Sequence, residues 1–123
     1  MANKYRNRKI EADGIVFDSK KEMRTYMYLK MQEERGEISE LKTQVKFVLI
    51  PAQYKTTGHT KTGKPIKKCV EREVCYYADF SYRDEKGRLH VIDVKSAITR
   101  KNPAYVIKRK LLRQVHGIEL EEV

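Results

Sequence analysis

Two β-like segments joined by a short turn constrain the fold of this chain more than any other feature. Residues 71–82 alternate as a long strand does, and residues 88–95 form a second such run. Between them lies Asp84-Glu85-Lys86-Gly87, which suits a hairpin with a three-residue loop and a left-handed glycine at its end. This loop sets Asp84 opposite Arg88, and the pairing of both strands follows from it.

The predicted register brings two acidic side chains together. Two apolar pairs share one face of the hairpin: Phe80 with Ile92, and Ala78 with Val94. On the other face Asp79 lies opposite Asp93, and Lys95 follows Asp93 because side chains alternate along a strand. Opposed carboxylates repel each other unless a cation lies between them or one of them is protonated. Hard oxygen ligands suit Mg²⁺ or Mn²⁺, and the ammonium group beside them could orient water or stabilise a phosphate.

The N-terminal part of the chain contains signals for one hairpin and one helix. Residues 10–17 predict a short hairpin with a tight turn at Asp13-Gly14. Ser19-Lys20-Lys21-Glu22 matches a capping box, in which a hydroxyl precedes a carboxylate by three residues. The helix that it opens is predicted to run to about Arg35, with Gly36 as its stop.

The remaining segments complete a mixed α/β pattern. Residues 44–50 predict a strand, and residues 52–68 predict a loop, since they contain two glycines, a proline, five lysines and no acid. Residues 103–116 predict a second helix between Pro103 and Gly117, and residues 118–123 a last short strand. The order is helix, three strands, helix, strand, with the three strands as an antiparallel meander. We therefore expect one α/β domain over residues 1–123, with a mixed central sheet flanked by helices.

Glu22 is a third acidic candidate. A glutamate at this position of a capping box is explained by the cap alone. On a helical wheel, however, Glu22 shares a face with Tyr26 and Leu29, which should turn toward the sheet. A carboxylate on that face of the first turn can reach the two aspartates, and the two roles do not exclude each other.

The charge balance indicates a polyanionic partner. Lys and Arg number 27 against 17 Asp and Glu, a formal net charge of +10 that favours nucleic acid or an acidic membrane surface. No apolar run approaches the ~20 residues of a membrane span, and no apolar segment follows the charged start. The two cysteines and three histidines lack the spacing of a zinc site. We expect a cytoplasmic protein.

Three basic segments are candidate phosphate-binding elements. The predicted loop contributes Lys55, Lys61, Lys64, Lys67 and Lys68. Arg100 and Lys101 precede the second helix, and residues 1–9 form a basic arm with Lys4, Arg6, Arg8 and Lys9. No helix has a convincing base-reading face, so binding is expected through DNA shape and backbone.

Lys108 is a further catalytic candidate. On the second helix it lies within an apolar stripe formed by Ala104, Leu111 and Val115. One interpretation is that the lysine snorkels past the core to solvent. The other is that it reaches the scissile phosphate or Glu22.

These residues resemble a known superfamily. Glu22 on a first helix, Asp79 in a Tyr-x-Ala-Asp-Phe strand, and Asp93-Val94-Lys95 on the next strand are similar to the PD-(D/E)XK nucleases. The order of helices and strands is also that of the superfamily's core. Several segments look like a family of small phage-encoded proteins grouped with Holliday-junction-resolvase-like nucleases: residues 14–22, 38–47, the Asp79 strand and residues 93–99. Ala78 stands where the superfamily's motif has proline.

The resemblance implies a function. A restriction-endonuclease-like core would bind Mg²⁺ (or Mn²⁺) through Asp79 and Asp93, with Lys95 as the catalytic lysine and Glu22 completing the acidic cluster. The expected activity is hydrolysis of DNA phosphodiester bonds by an endonuclease, at branched DNA such as Holliday junctions during phage recombination or DNA processing in the host cytoplasm. Symmetric cutting of a junction needs two sites and hence a homodimer. The alternatives are a non-catalytic nucleic-acid-binding module, and a nickase, flap or end-processing nuclease of the same fold.

Overall fold

A computed structural model describes residues 9–123, so the predicted arm lies outside the described residues except for the exposed Lys9. The elements in chain order are β1 (Ile10–Ala12), β2 (Ile15–Phe17), α1 (Lys20–Glu34), β3 (Ser39–Ile50), β4 (Gln53–His59), β5 (Pro65–Glu71), β6 (Val74–Arg83), β7 (Leu89–Asp93), α2 (Ala97–Arg100), α3 (Pro103–His116) and β8 (Glu121–Glu122). Among these residues no helix is long and apolar enough to cross a membrane.

The central sheet is mixed and has four strands in the order β3-β6-β7-β8. β3, β6 and β7 pair antiparallel, as the predicted meander requires, and β8 joins β7 in parallel. Helix α3 makes the crossover between β7 and β8. The prediction of an α/β fold with a mixed sheet flanked by helices is confirmed.

Each face of the sheet has its own apolar core. On the α1 side Tyr26 and Leu29 pack with Phe80 and Ile92. On the α3 side Tyr105 and Leu112 pack with side chains of β3, β6 and β7: Leu49, Tyr76, Ala78 and Val91. The neighbours Val91 and Ile92 are both buried because β7 lies between the two layers.

Local signals at the ends of the elements match the structure. Ser19 caps α1, its hydroxyl accepting a hydrogen bond from the Glu22 amide at 3.1 Å. Asn102 caps α3 ahead of Pro103, and Gly117 ends that helix in a left-handed conformation with φ of 66°. Both predicted helices are confirmed. The turn at Asp13-Gly14, with both φ values positive, is also as predicted.

The predicted loop at residues 52–68 was wrong. β4 and β5 pair there as an antiparallel hairpin, closed by hydrogen bonds between Thr60 and Lys64 around Gly63. The long strand predicted over residues 71–82 instead begins at Val74, because Glu71 ends β5. The hairpin is thus an insertion between β3 and β6, whose ends Ile50 and Val74 remain paired.

Two predictions of side-chain direction also fail. On α3 the buried residues are Tyr105 and Leu112, whereas Ala104 and Val115 of the predicted stripe are exposed. On β6 Ala78 does not share an apolar face with Phe80, since Ala78 belongs to the core on the α3 side. The regular alternation of side chains is therefore interrupted between these two positions, at Asp79.

Candidate active site

The strands β6 and β7 separate at Asp79 and Asp93. Their backbone pairing follows the predicted register as far as Phe80 with Ile92. Beyond that pair the carboxylates themselves join the strands. The Asp79 amide donates to Asp93 Oδ1 at 2.8 Å, and the Val94 amide donates to Asp79 Oδ2 at 2.8 Å. The predicted proximity of the two acids is confirmed, but their carboxylates bridge the strands instead of standing side by side on one face.

Gln44 on β3 lies at the same level of the sheet. Its neighbours Thr43 and Val45 pair with Phe80 and Ala78, which places Gln44 beside Asp79. Gln44 has φ of 50°, a conformation that is uncommon for residues other than glycine. The irregular backbone at this point of β3 coincides with the interrupted alternation of β6. The strands are therefore distorted together where Asp79 is presented.

Glu22 lines the site together with Asp79. It lies in the first turn of α1 with 5% of its surface exposed, on the same helical face as Tyr26 and Leu29, as predicted. Burial raises the pKa of Glu22 to about 7, with further contributions from the negative charges of Asp79 and Asp18. The Asp18 amide and Lys95 oppose this rise. Glu22 therefore belongs to the capped first turn of α1, and its pKa responds to the charge of Asp79.

Lys95 places a positive charge beside Asp93. Its Nζ atom lies 3.6 Å from Asp93 Oδ2 and 5.7 Å from the centroid of the Tyr105 ring. Its backbone amide donates to Val123 O at 3.3 Å, which joins it to the end of β8. Asp93 is fully buried, and Oδ2 has no hydrogen-bond partner among the described residues.

Desolvation governs the charge state of the aspartates. Burial raises the pKa values of both Asp79 and Asp93 above the ordinary range. The Val94 amide opposes this at Asp79, the Asp79 amide opposes it at Asp93, and Lys95 opposes it at both. Three acids that are costly to ionise together form a site that a bound cation would stabilise.

A cleft of about 460 Å³ opens at this point, and the fully buried Asp93 is not among the described residues that line it. Its lining includes Glu22, Asp79 and Lys95, and also residues that the sequence had not indicated: Asp18, Ser19, Lys21, Val94, Ser96 and Thr99. Ser96 and Thr99 form the capped first turn of α2, a helix of four residues. The Ser96-x-x-Thr99 spacing after the strand is a cap signal that could have predicted this turn.

The donor set fits a hard divalent cation. In residues 9–123 no three His, Cys, Asp or Glu side chains are grouped closely enough to hold a metal ion jointly. Mg²⁺ typically uses one or two protein carboxylates and completes its octahedron with water and substrate oxygens. Asp79 lines the cleft, and the buried Asp93 Oδ2 lies 3.6 Å from Lys95 Nζ without a hydrogen bond from the described residues. These two carboxylates would hold the ion, with Glu22 in the lining of the same cleft.

The remaining predicted site residues lie elsewhere. Lys55, Lys61, Lys64, Lys67 and Lys68 are all exposed on the β4–β5 hairpin. Arg100 pairs with Glu122 at 3.4 Å, and Lys101 is exposed after α2. Lys108 is half-buried on α3 and is not among the residues lining the cleft in the described chain. Its charge lowers the pKa of Cys75 on β6, a thiol whose pKa burial raises overall.

Comparison with protein families places the chain in a group of related sequences. Residues 2–121 match the model of the family described as "Protein of unknown function (DUF1064)". The chain belongs to the DUF1064 family. No curated protein and no solved structure gives a significant match to it.

Proposed function

We propose that this DUF1064 chain is a metal-dependent endodeoxyribonuclease of the PD-(D/E)XK type. The observation that carries the proposal is the separation of β6 and β7 at two bridging carboxylates, with Lys95 3.6 Å from the buried Asp93. In this proposal α1, the meander, α3 and β8 form a restriction-endonuclease-like core. The basic composition and the acid-free stretch from Leu41 to Val70 fit a nucleic-acid substrate.

The reaction is hydrolysis of a phosphodiester. A water oxygen bonds to phosphorus, the bond from phosphorus to one bridging oxygen breaks, and that oxygen leaves with a proton as a hydroxyl. A Mg²⁺ or Mn²⁺ ion held by Asp79 and Asp93 would polarise the phosphate and lower the pKa of water. Lys95 orients the attacking water and stabilises the charge that develops on the phosphate oxygens. Glu22, with a pKa of about 7, can accept the proton of that water near neutral pH.

Branched DNA is the proposed substrate. The resemblance to junction-resolving nucleases supports it, and cutting a four-way junction symmetrically requires a homodimer with two clefts. The second candidate is a nucleic-acid-binding module without catalysis, favoured by the exposed lysines on β4 and β5. A nickase, flap or end-processing nuclease would use the same cleft on other DNA structures.

One assay separates these candidates. The purified protein is incubated with Mg²⁺, Mn²⁺ or EDTA and labelled four-way junction, flap, nicked, duplex and single-stranded DNA. We expect cleavage with metal only, fastest on the junction. If every substrate is bound and none is cut with either metal, the protein is the binding module.

The matched variants are Asp79→Asn and Asp93→Asn. The amide oxygen keeps each hydrogen bond across the strands while the charge is removed. We expect the cleavage rate to fall by at least roughly a thousandfold, as for other essential polar groups in active sites. DNA binding should be unchanged or tighter, because a negative charge near phosphate is removed. Glu85→Gln, in the exposed turn between β6 and β7, is the control and should cut at the normal rate. Full activity of Asp93→Asn would contradict the proposal that Asp93 binds the metal.

A further inference from the structure

The β4–β5 hairpin projects from the rest of the fold. Every residue of both strands is exposed except Gly58, which is half-buried. Within the described chain the two strands pack extensively only against each other. An isolated two-stranded hairpin is at best marginally stable in water, and the rest of the fold makes few contacts that would stabilise this one. A bound partner would supply the missing contacts.

The charges of the hairpin identify the partner as a polyanion. Residues 51–73 contain six basic and two acidic residues, so they carry four of the ten net positive charges of the chain. Lys55 lies directly opposite Lys68, a like-charge pair that destabilises the isolated hairpin. Such repulsion also disfavours pairing with a second copy of the same hairpin. It is relieved when phosphates lie between or beside the ammonium groups.

The distribution of these lysines points to a groove and not to a flat surface. Lys55 and Lys68 project from one face of the ribbon, since they are cross-strand partners. Lys67 is the partner of Thr56 and projects from the other face, and Lys61 and Lys64 lie at the tip. A hairpin lying on an anionic surface needs lysines on one face only. A ribbon within a groove has a phosphate strand on each side.

We infer that the β4–β5 hairpin is a ribbon that inserts into the major groove of duplex DNA beside the cleft. This inference rests on the proposed function for its choice of DNA. The major groove of B-form DNA is about 12 Å wide and admits a two-stranded ribbon. The base of the hairpin at Val74 is five residues from Asp79, or roughly 17 Å along β6. At about 3.4 Å per base pair this span equals roughly five base pairs, so the ribbon, which extends beyond that base, meets DNA at roughly that distance from the scissile phosphate or farther.

The first test neutralises the lysines and measures binding in EDTA, where no cleavage occurs. Anisotropy titrations of a labelled duplex at several salt concentrations compare wild type with Lys55→Gln/Lys67→Gln/Lys68→Gln. We expect the slope of log K against log salt to shrink by roughly 2.7, about 0.9 for each phosphate that is no longer neutralised by a lysine. Lys86→Gln, at the exposed tip of the β6–β7 turn, is the control and should change the slope little. An unchanged slope in the triple variant overturns the inference.

Separate variants for each face test the groove. Lys55→Gln/Lys68→Gln and Lys67→Gln should each reduce the slope, whereas a reduction from one face only would indicate a flat binding surface and overturn the inference. Methyl green in the major groove should compete with binding, and netropsin in the minor groove should not. An A-form RNA duplex has a deep, narrow major groove, so its binding should not depend on these lysines. Equal dependence with RNA also overturns the inference.

Replacing residues 51–73 by Asn-Gly provides the second variant. Because Ile50 and Val74 already pair, a two-residue turn can connect β3 to β6 directly. We expect this variant to melt at a temperature close to that of wild type and to bind duplex DNA more weakly. Methyl green should no longer compete with its binding. A variant that binds duplex as tightly as wild type contradicts the inference. If the lysine variants weaken duplex binding but wild type cuts no substrate, the inference about the hairpin is supported and the nuclease proposal fails.

Discussion

Lys95 is the residue on which the electrostatics of the cleft converge. Its ammonium group lowers the pKa values of Glu22, Asp79 and Asp93, and it lies 3.6 Å from Asp93 Oδ2. The side chain passes over the Tyr105 ring, which restricts where the charge can move. A cation so placed compensates the buried acids, and in the proposed mechanism it would lie close to the phosphate of the substrate.

The Lys95→Met variant tests this role. Methionine keeps an unbranched side chain over Tyr105 and removes the charge, so we expect the cleavage rate to fall by roughly 10²–10³-fold with DNA binding little changed. Lys108→Met is the matched control on α3, and it should cut at nearly the normal rate because Lys108 lies outside the cleft lining. The cleavage rates of both variants and of wild type are compared under single-turnover conditions. A normal rate for Lys95→Met, or an equal reduction for Lys108→Met, contradicts the assignment.

At the residue scale the sequence predicted which acids meet but not how. The spacing from Asp84 to Gly87 fixed the register, and therefore the proximity of Asp79 and Asp93. The bridging by carboxylates could not be predicted, because strict alternation assumes an undistorted strand. The distortion involves Gln44, and nothing about a glutamine in the sequence predicts the positive φ that it adopts. The distortion depends on pairing between strands whose residues are distant in sequence.

At the scale of elements the β4–β5 hairpin was missed although it carried a usable signal. Thr60-Lys61-Thr62-Gly63-Lys64 has its glycine at the same position as Asp84-Glu85-Lys86-Gly87-Arg88, and both turns close with the same hydrogen bonds. The density of lysines and glycines favoured a loop. The buried face of α3 was predicted wrongly for a different reason, since apolar residues occur on two sides of that helix. Only packing on the sheet selects Tyr105 and Leu112 as the buried side.

A histidine connects β7 to β8 and to the preceding turn. His90 Nε2 lies 2.9 Å from Asp84 Oδ2, and Nδ1 lies 3.3 Å from a Glu121 oxygen, while the ring stacks on Tyr82. The hydrogen bond with Asp84, and then that with Glu121, raises the pKa of His90. Because this pKa is higher in the folded chain, the pair stabilises the fold fully below the ordinary histidine value near 6.5. The stabilisation disappears as pH rises through the raised value.

His90→Phe should therefore destabilise the chain in a pH-dependent way. Phenylalanine keeps a ring against Tyr82 and removes both hydrogen bonds. We expect the free energy of unfolding to differ from wild type by about 1 kcal/mol more at pH 5 than at pH 9, in the range of partly exposed ion pairs. Urea unfolding across this pH range measures it, with His59→Phe on the exposed face of β4 as control. The same difference at both pH values would show that only packing is involved.

At the scale of the whole molecule, one long stretch of the chain contains basic residues and no acidic ones. No acidic residue occurs between Glu40 and Glu71, whereas the cleft collects Asp18, Glu22 and Asp79. In the described chain the insertion that carries the lysines forms its own two-stranded sheet between β3 and β6, so its charges lie outside the core. This division fits a protein in which one region binds the polyanion and another holds the cation needed to cut it.

In the proposed mechanism metal binding stabilises the entire chain, because burial makes Glu22, Asp79 and Asp93 costly to ionise without a cation. An ion that binds only the folded state adds about 2.7 kcal/mol at a concentration roughly one hundred times its Kd. For a chain of 123 residues this corresponds to a rise in Tm of roughly 10 °C. Calorimetry of the metal-free protein with added Mn²⁺ should show such a rise for wild type and for Glu85→Gln. Asp93→Asn should lose most of it, and an equal rise in that variant would place the ion outside the cleft.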